Sequence, residues 1–296
     1  MIISNLIGGL GNQMFQHACG RALACDLQQP LKVSTDLFAG YALHQGLVLG
    51  QVFALELDVA SAADLRQMLG GWRSGPLLRR AFSRWPLPTW ASGRYIAETP
   101  AGTLDELRLR ASRGAYLHGY WQSERYFVHR RAEVLADYRW RAPLSGRNAE
   151  LARQIQATPR AISVHVRRGD YISNAKNQGI YASCSPDYYF AALERLSASA
   201  PDARVYAFSD DPAWVAQALA PRCPGLVVVD HNRGADSAID MRLMSLCRHH
   251  VIANSSFSWW GAWLNSAPDK QVIAPKRWYA DGREDGGLVP ADWMRL

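Results

Sequence analysis

The chain has 296 residues, 48% of them hydrophobic and 20% charged, which excludes a disordered chain and gives enough apolar content for one large or two ordinary domains. Its 33 Lys and Arg against 26 Asp and Glu give a formal charge of +7, suited to an anionic ligand, a nucleic acid or an acidic membrane surface. Five cysteines with no C-x-x-C pair exclude a zinc ribbon and are expected to be reduced thiols of a cytosolic protein, and no run of about 18 apolar residues or secretory leader is read.

In chain order, "MIISNLIGGLGNQMFQHACGRALACDL" predicts a short strand, a Gly-rich turn and a helix whose apolar stripe is Met14, Phe15, Ala18, Ala22 and Leu23. "PLKVSTD" predicts a second strand and so a β-α-β start. The stretch from about 60 to 115 is rich in Arg, Trp, Pro and Gly without clean periodicity, and loops and short helices are expected there. "AYLHGYWQSERYF" predicts a strand leading into a helix that runs through "RRAEVLADYRW". "APLSGRN" marks the boundary between halves 1–146 and 147–296. Beyond it, the strands "AISVHVRR", "RVYAFSDD", "GLVVVDH", "HVIANSS" and "KQVIAPK" alternate with helical segments, the pattern of a doubly wound parallel α/β domain.

Four of these strands end in polar or small residues, "HVRRGD", "FSDDP", "VDHN" and "ANSSFS", and ligands of such sheets bind at the carboxyl ends of strands. In "ISVHVRRGDY", alternation puts Ile162, Val164 and Val166 on the core side, with His165 and Arg167 on the other. The Arg167 fork fits phosphate oxygens, while Arg168 points away and has Asp170 as a candidate ion-pair partner. "ANSSFSWWGAWL" places Asn254, Ser255 and Ser256 before a helix, where free N–H groups bind anions; capping by Ser256 or Ser258 is compatible with that, and Trp259, Trp260 and Trp263 read as core anchors. In "FSDDPAW", one carboxylate of Asp210 and Asp211 can accept from the N1–H and amine of a guanine while the other caps the helix at Pro212. A metal reading lacks partner carboxylates. "GGLGNQMFQ" fits G-x-G at Gly9 and Gly11, but Met14 takes the third glycine position of a dinucleotide fingerprint. It leaves a tight backbone with Asn12 and Gln13 as uncharged hydrogen-bonding groups, or a plain strand-to-helix turn. No P-loop, H-E-x-x-H or G-x-S-x-G is present.

Together with "GYWQSERYF" at Gly119 to Phe127, these motifs resemble, in order and approximate spacing, those of the α-1,2-fucosyltransferases of glycosyltransferase family 11. The resemblance implies a GT-B fold, two Rossmann-like halves facing across a cleft. Residues 1–146 would form the acceptor-side domain and 147–296 the GDP-fucose domain, with the last residues candidates for a return to the N-terminal half. It implies inverting transfer from GDP-β-L-fucose to O2 of a terminal β-galactoside, with no metal cofactor. Carried over by position, Arg167 holds the diphosphate with His165 beside the nucleotide, Asp210 or Asp211 reads guanine, and Ser255, Ser256 and Phe257 line the diphosphate. Gly11 and Asn12 fall at the fucose side, and Asn12, Gln13, Trp121 and Gln122 at the acceptor. The base is unassigned: Asp170 is a candidate by proximity, and proton loss to the departing phosphate is the alternative. The expected acceptor is a glycan such as a lipopolysaccharide repeat at the cytoplasmic membrane face, where the basic surface can contact anionic lipid. The competing readings are a fucosyltransferase of another linkage and a non-catalytic glycan- or nucleotide-binding module using the aromatics of "GWRSGPLLRRAFSRWPLPTW". Nucleic-acid binding has charge in its favour but no motif.

Overall fold

The computed structural model describes residues 1–39, 45–70, 94–99, 102–169, 179–180, 182–198 and 202–296. Two units follow along the chain, Met1–Ala142 and Pro143–Leu296.

In the first unit, Ile2–Asn5 form β1, fully buried, and run into the Gly8–Gly9 turn. Gly8 has φ +87°, and a Cβ there would lie 2.7 Å from Asn12 Nδ2, so both backbone and space call for glycine. Helix α1 (Leu10–Asp26) then buries Met14, Phe15, Ala18, Ala22 and Leu23, as its stripe predicts. Next come β2 (Leu31–Ser34), α2 (Ala62–Leu69), β3 (Tyr95–Ala97), α3 (Leu104–Ala111), β4 (Ala115–His118) and α4 (Arg131–Asp137). Both α2 and α3 open with reciprocal capping boxes, Ser61 with Asp64 and Thr103 with Glu106, each satisfying two otherwise orphaned N–H groups. The strands form one parallel sheet in the order β2-β1-β4-β3.

Strand β3 corrects the expectation of only loops and short helices between 60 and 115. Three residues are too few to display alternation, and β3 is defined by its partner, with Tyr95 opposite Tyr116 and Ala97 opposite His118. Residues 71–93, including all of "GWRSGPLLRRAFSRWPLPTW", lie outside the described residues. After β4 the chain takes two 3-10 turns, Glu124–Tyr126 and Val128–Arg130, before α4, so the predicted helix starts later than the sequence suggests.

The second unit alternates α5 (Gly146–Ala157), β5 (Ala161–Val166), α6 (Pro186–Ser197), β6 (Arg204–Ser209), α7 (Pro212–Ala218), β7 (Val227–Val229), α8 (Ser237–Leu246), β8 (His249–Val251), α9 (Ser256–Leu264), β9 (Val272–Ala274) and β10 (Met294–Arg295). All six strands are parallel, in the order β10-β9-β8-β5-β6-β7. The end of the chain does not return to the first sheet: Met294 and Arg295 pair with Ile273 and Ala274 of β9, whose open edge supplies the backbone partners a terminal strand needs.

Ile162, Val164 and Val166 pack with Tyr189, Leu193 and Leu196 of α6 and Val215 of α7, fixing that face as core. Alternation sends Ser163 and His165 to the opposite face, where Ser163 Oγ lies 2.8 Å from His250 Nδ1 and His165 lies against Phe257 of α9. Trp259, Trp260 and Trp263 are buried in α9 and pack on one another, which makes them core anchors. Trp260→Ala is accordingly expected to destabilise the chain by about 3–5 kcal/mol, read as a lowered urea midpoint at unchanged m-value.

In the second sheet the chain steps from β5 outward to β6 and β7, then crosses back to β8 and β9 on the other side, so the connections diverge between β5 and β8. In the first sheet they diverge between β1 and β4. Such points open the crevices in which α/β sheets hold ligands.

Candidate active site

At the β5/β8 switch point, Arg167 follows the last residue of β5. Its Nη1 lies 3.0 Å from Asp210 Oδ2, and the two side chains are 28% and 25% exposed, so the guanidinium is fixed yet reachable. Asp210 also accepts from the backbone N–H groups of Arg168 (2.9 Å) and Gly169 (3.0 Å), which ties the loop after β5 to the end of β6. A Cβ on Gly169 would lie 2.9 Å from Asp210 Oδ2. Asp211 caps α7 by accepting from Trp214 N at 3.0 Å and pairs with Arg168 Nε at 3.3 Å. Asp210 is thus a brace for Arg167 and the loop after β5 and Asp211 a cap for α7, and both side chains stay partly exposed, at 25% and 37%. Arg168 stacks over Trp214 at 4.4 Å; Asp170 lies outside the described residues.

His165 is 5% exposed, and its Nδ1 has no hydrogen-bond partner among the described residues. Burial, reinforced by Arg167 and opposed by Asp210, lowers its pKa to about 4, so the imidazole is neutral at physiological pH. A buried neutral ring with an unsatisfied nitrogen suits a polar ligand that completes it. Across the switch point, Ser255 caps α9, its side chain accepting from Phe257 N at 3.3 Å. The cap is thus Ser255, one residue earlier than Ser256, which becomes the first residue of a helix whose N-terminal end favours an anion. Asn254 is a brace: its Nδ2 donates to Ala182 O at 2.5 Å and Trp278 O at 2.9 Å.

On the same side as His165, α8 begins at the carboxyl edge of the sheet because it runs back toward the start of β8. Its first turn holds Asp240, 8% exposed, whose Oδ1 accepts from Asn232 Nδ2 at 2.7 Å. Asn232 in turn exchanges hydrogen bonds with Asn148 at the start of α5, and His231 Nε2 lies 2.8 Å from Asn148 Oδ1. Burial with so few donors pushes the Asp240 carboxyl up to about 7. Sequence reasoning missed this carboxylate; the available signal was one acid inside the apolar run Ile239, Met241, Leu243 and Met244.

In the first unit the uncharged residues of "GNQMFQ" act as braces at the β1/β4 switch point. Gln13 is fully buried, donates to Gly8 O and Gly46 O, and accepts from Val48 N and Leu49 N. It is therefore a structural residue, which corrects its assignment to an acceptor, because no polar group of its side chain is left over. Gly11 is buried in the first turn of α1. Gln16 accepts from Ile7 N and donates to Gly119 O, and Gln122 Nε2 donates to Asn12 Oδ1 at 2.7 Å. Trp121 has φ +54° and is 3% exposed, so its ring is packed inward, and the aromatic presented to solvent in this turn is Tyr120, 48% exposed. An acceptor face on Trp121 is corrected by that burial. Among the described residues no three His, Cys, Asp or Glu side chains gather into a metal-binding group, and no helix is long and apolar enough to cross a membrane.

The family model described as "Glycosyl transferase family 11" matches residues 62–295. The chain is a member of glycosyltransferase family 11. It is 31% identical to an alpha-1,2-colitosyltransferase of Escherichia coli over 100% of this chain and 99% of that protein. It is 24% identical to galactoside alpha-(1,2)-fucosyltransferase 2 of Sus scrofa, covering 88% of this chain and 68% of that one. In fold it is similar to NodZ, an alpha-1,6-fucosyltransferase from Bradyrhizobium crystallised with GDP, at TM-score 0.54 and 13% identity over 88% of this chain and 91% of that one. The family 11 chain thus carries the two parallel α/β, Rossmann-like halves of a GT-B glycosyltransferase.

Proposed function

We propose that this family 11 glycosyltransferase moves L-fucose from GDP-β-L-fucose to O2 of a terminal β-galactoside in a glycan such as a lipopolysaccharide repeat, with inversion and without a metal ion. The observation that carries the reading is the β5/β8 switch point, where a guanidinium braced by Asp210 stands beside a buried, neutral and incompletely bonded His165. That combination suits a nucleoside diphosphate: Arg167 and the first turn of α9 meet the phosphates, and His165 meets the nucleoside. The α-1,2 linkage is supported by the names of the relatives, which share it across different sugars.

In the reaction, the galactose O2 attacks C1 of fucose and the C1–O bond to the β-phosphate breaks, its electron pair passing to the phosphate oxygen. The O2 proton leaves to a base or to the departing phosphate. Negative charge grows on the diphosphate as the bond breaks, so a cation fixed there binds the transition state more tightly than the ground state. Guanine is assigned to Asp240 in place of Asp210 or Asp211. Its buried carboxylate has a single neutral donor among its described hydrogen bonds, and the N1–H and exocyclic amine of guanine are two donors side by side.

A second donor deserves equal trial, because a relative of 31% identity transfers colitose, which is fucose without its 3-hydroxyl. The deciding experiment follows GDP release in EDTA from GDP-fucose and from GDP-colitose, with and without a β-galactosyl-N-acetylhexosamine, and locates the new bond by NMR. Acceptor-stimulated release with the sugar on galactose O2 is expected. Tight GDP binding with no release from either donor would reduce the chain to a nucleotide-binding module, and a bond to another hydroxyl would overturn the linkage.

A further inference from the structure

Beside the end of β4 in the first unit stands a charged group that the proposed reaction does not use, Glu98. It follows β3 directly, its own N–H donating to His118 O at 2.8 Å, and so stands beside the end of β4. Its Oε2 accepts from Tyr120 N at 2.7 Å, and the carboxylate also accepts from the backbone N–H groups of Trp121 and Gln122. Three successive amides pointing at one anion form a nest, a conformation that an extended chain does not adopt unaided.

The rest of the turn is built around that carboxylate. Trp121 is in the left-handed region at φ +54°, costly for a bulky residue, and its buried indole Nε1 has no partner among the described residues. At Gly119 a Cβ would lie 2.4 Å from Glu98 Cβ and 2.7 Å from its Oε2, so the turn closes on the acid only because residue 119 has no side chain. From α1, Gln16 holds Gly119 O and Asn12 receives Gln122. The exposed ring of Tyr120 and the amide of Gln122 are therefore presented by a loop whose internal hydrogen bonds converge on Glu98.

We propose that Glu98 is a positioning residue for the acceptor. Its carboxylate gathers the amides of Tyr120, Trp121 and Gln122, and thereby fixes the Tyr120 ring and aims Gln122 at Asn12 where the acceptor glycan docks. The proposal rests on the fucosyltransferase reading for the identity of that glycan, whereas the clamp itself can be measured without any reaction. Burial raises the Glu98 pKa while the three amides and Arg125 oppose the rise, so the clamp and the charge support each other.

The test uses the full chain and the substitutions Glu98→Gln and Gly119→Ala. In Glu98→Gln the shape is kept, but an NH2 group faces at least one amide that needs an acceptor. Hydrogen exchange at residues 120–122 is expected to speed up tenfold or more. The acceptor KM is expected to rise tenfold or more, with kcat within about threefold of the parent and the Kd for GDP-fucose unchanged. Glu98→Asp, which keeps the charge, is expected to recover part of the KM, and Gly119→Ala to raise KM with the carboxylate intact. Unchanged exchange and KM in Glu98→Gln would overturn the proposal. So would a collapse of kcat at constant KM, which marks a group acting on the reacting atoms, or a loss of GDP-fucose binding, which marks a general folding role. If the parent chain transfers no sugar at all, the functional reading fails, and the exchange rates still decide the clamp.

Discussion

Arg167→Ala is expected to lower kcat by roughly two to three decades, the size of losing one fixed donor to a developing negative charge. The reason lies in how the guanidinium is held. Asp210 fixes it at 3.0 Å while two backbone N–H groups fix Asp210, so the cation is already in place when the sugar–phosphate bond breaks. Preorganisation of this kind avoids reorientation during the reaction and makes the interaction strongest in the transition state. The check is single-turnover kinetics at saturating donor and acceptor, with GDP affinity measured separately. A loss confined to GDP affinity, with kcat within a few-fold of the parent, would mean that Arg167 only anchors the nucleotide. Arg167→Lys should recover little, because an ammonium cannot span two phosphate oxygens as a fork does.

Asp240→Asn is expected to weaken GDP-fucose binding by roughly 10- to 150-fold, the range for hydrogen bonds to a charged acceptor, with a much smaller change in kcat. Base selectivity gives a sharper readout. The parent should prefer GDP over inosine diphosphate, which lacks the exocyclic amine, and the variant should lose that preference. A variant that keeps the preference would remove Asp240 from the guanine site. The pH dependence follows from the raised pKa of about 7. The carboxylate must be ionised to accept both guanine donors, so GDP-fucose affinity should climb up to tenfold per pH unit below 7 and level off above it. GDP-fucose is the proper probe, since its diphosphate is esterified at both ends and exchanges no proton near neutrality. Stability of the ligand-free chain has the opposite sign. The folded state holds this proton more tightly than the unfolded chain, so Asp240 contributes stability below about pH 4 that is lost as pH rises through 7. Asp240→Asn should remove both dependences together. His165, with its pKa near 4, stays neutral throughout the window in which Asp240 titrates.

These two predictions differ in what the sequence could contribute. Arg167 was legible because β5 announces itself through Ile162, Val164 and Val166, and a strand that ends in Arg at the carboxyl edge of a parallel sheet has a known use. Asp210 and Asp211 were legible as important but not separable. Which one caps α7 and which one braces Arg167 depends on the direction of each carboxylate, and consecutive residues in a loop carry no periodicity that fixes it. Asp240 falls in a helix whose sequence singled out no acid, and its meaning comes from burial against Asn232, eight positions away in the loop before that helix. The same holds for Glu98, which follows a three-residue strand that has no pattern of its own and is recognised only by pairing with β4.

The sequence by itself determined the β-α-β start of the first half, the parallel α/β plan of the second, the Gly-rich turn before α1 and the tryptophan core of α9. Each of these follows from local rules, namely side-chain alternation along a strand, helical periodicity, and the backbone freedom of glycine. Only the tertiary structure decided that Gln13 and Asn254 are braces, that Ser255 is the cap, that Trp121 turns inward while Tyr120 faces solvent, that Asp240 is buried in the first turn of α8 and that Glu98 stands half-buried beside the end of β4. A polar side chain becomes a brace or a ligand-binding group according to whether distant backbone satisfies its hydrogen bonds. That is settled when the elements pack, not by the residues beside it in the chain.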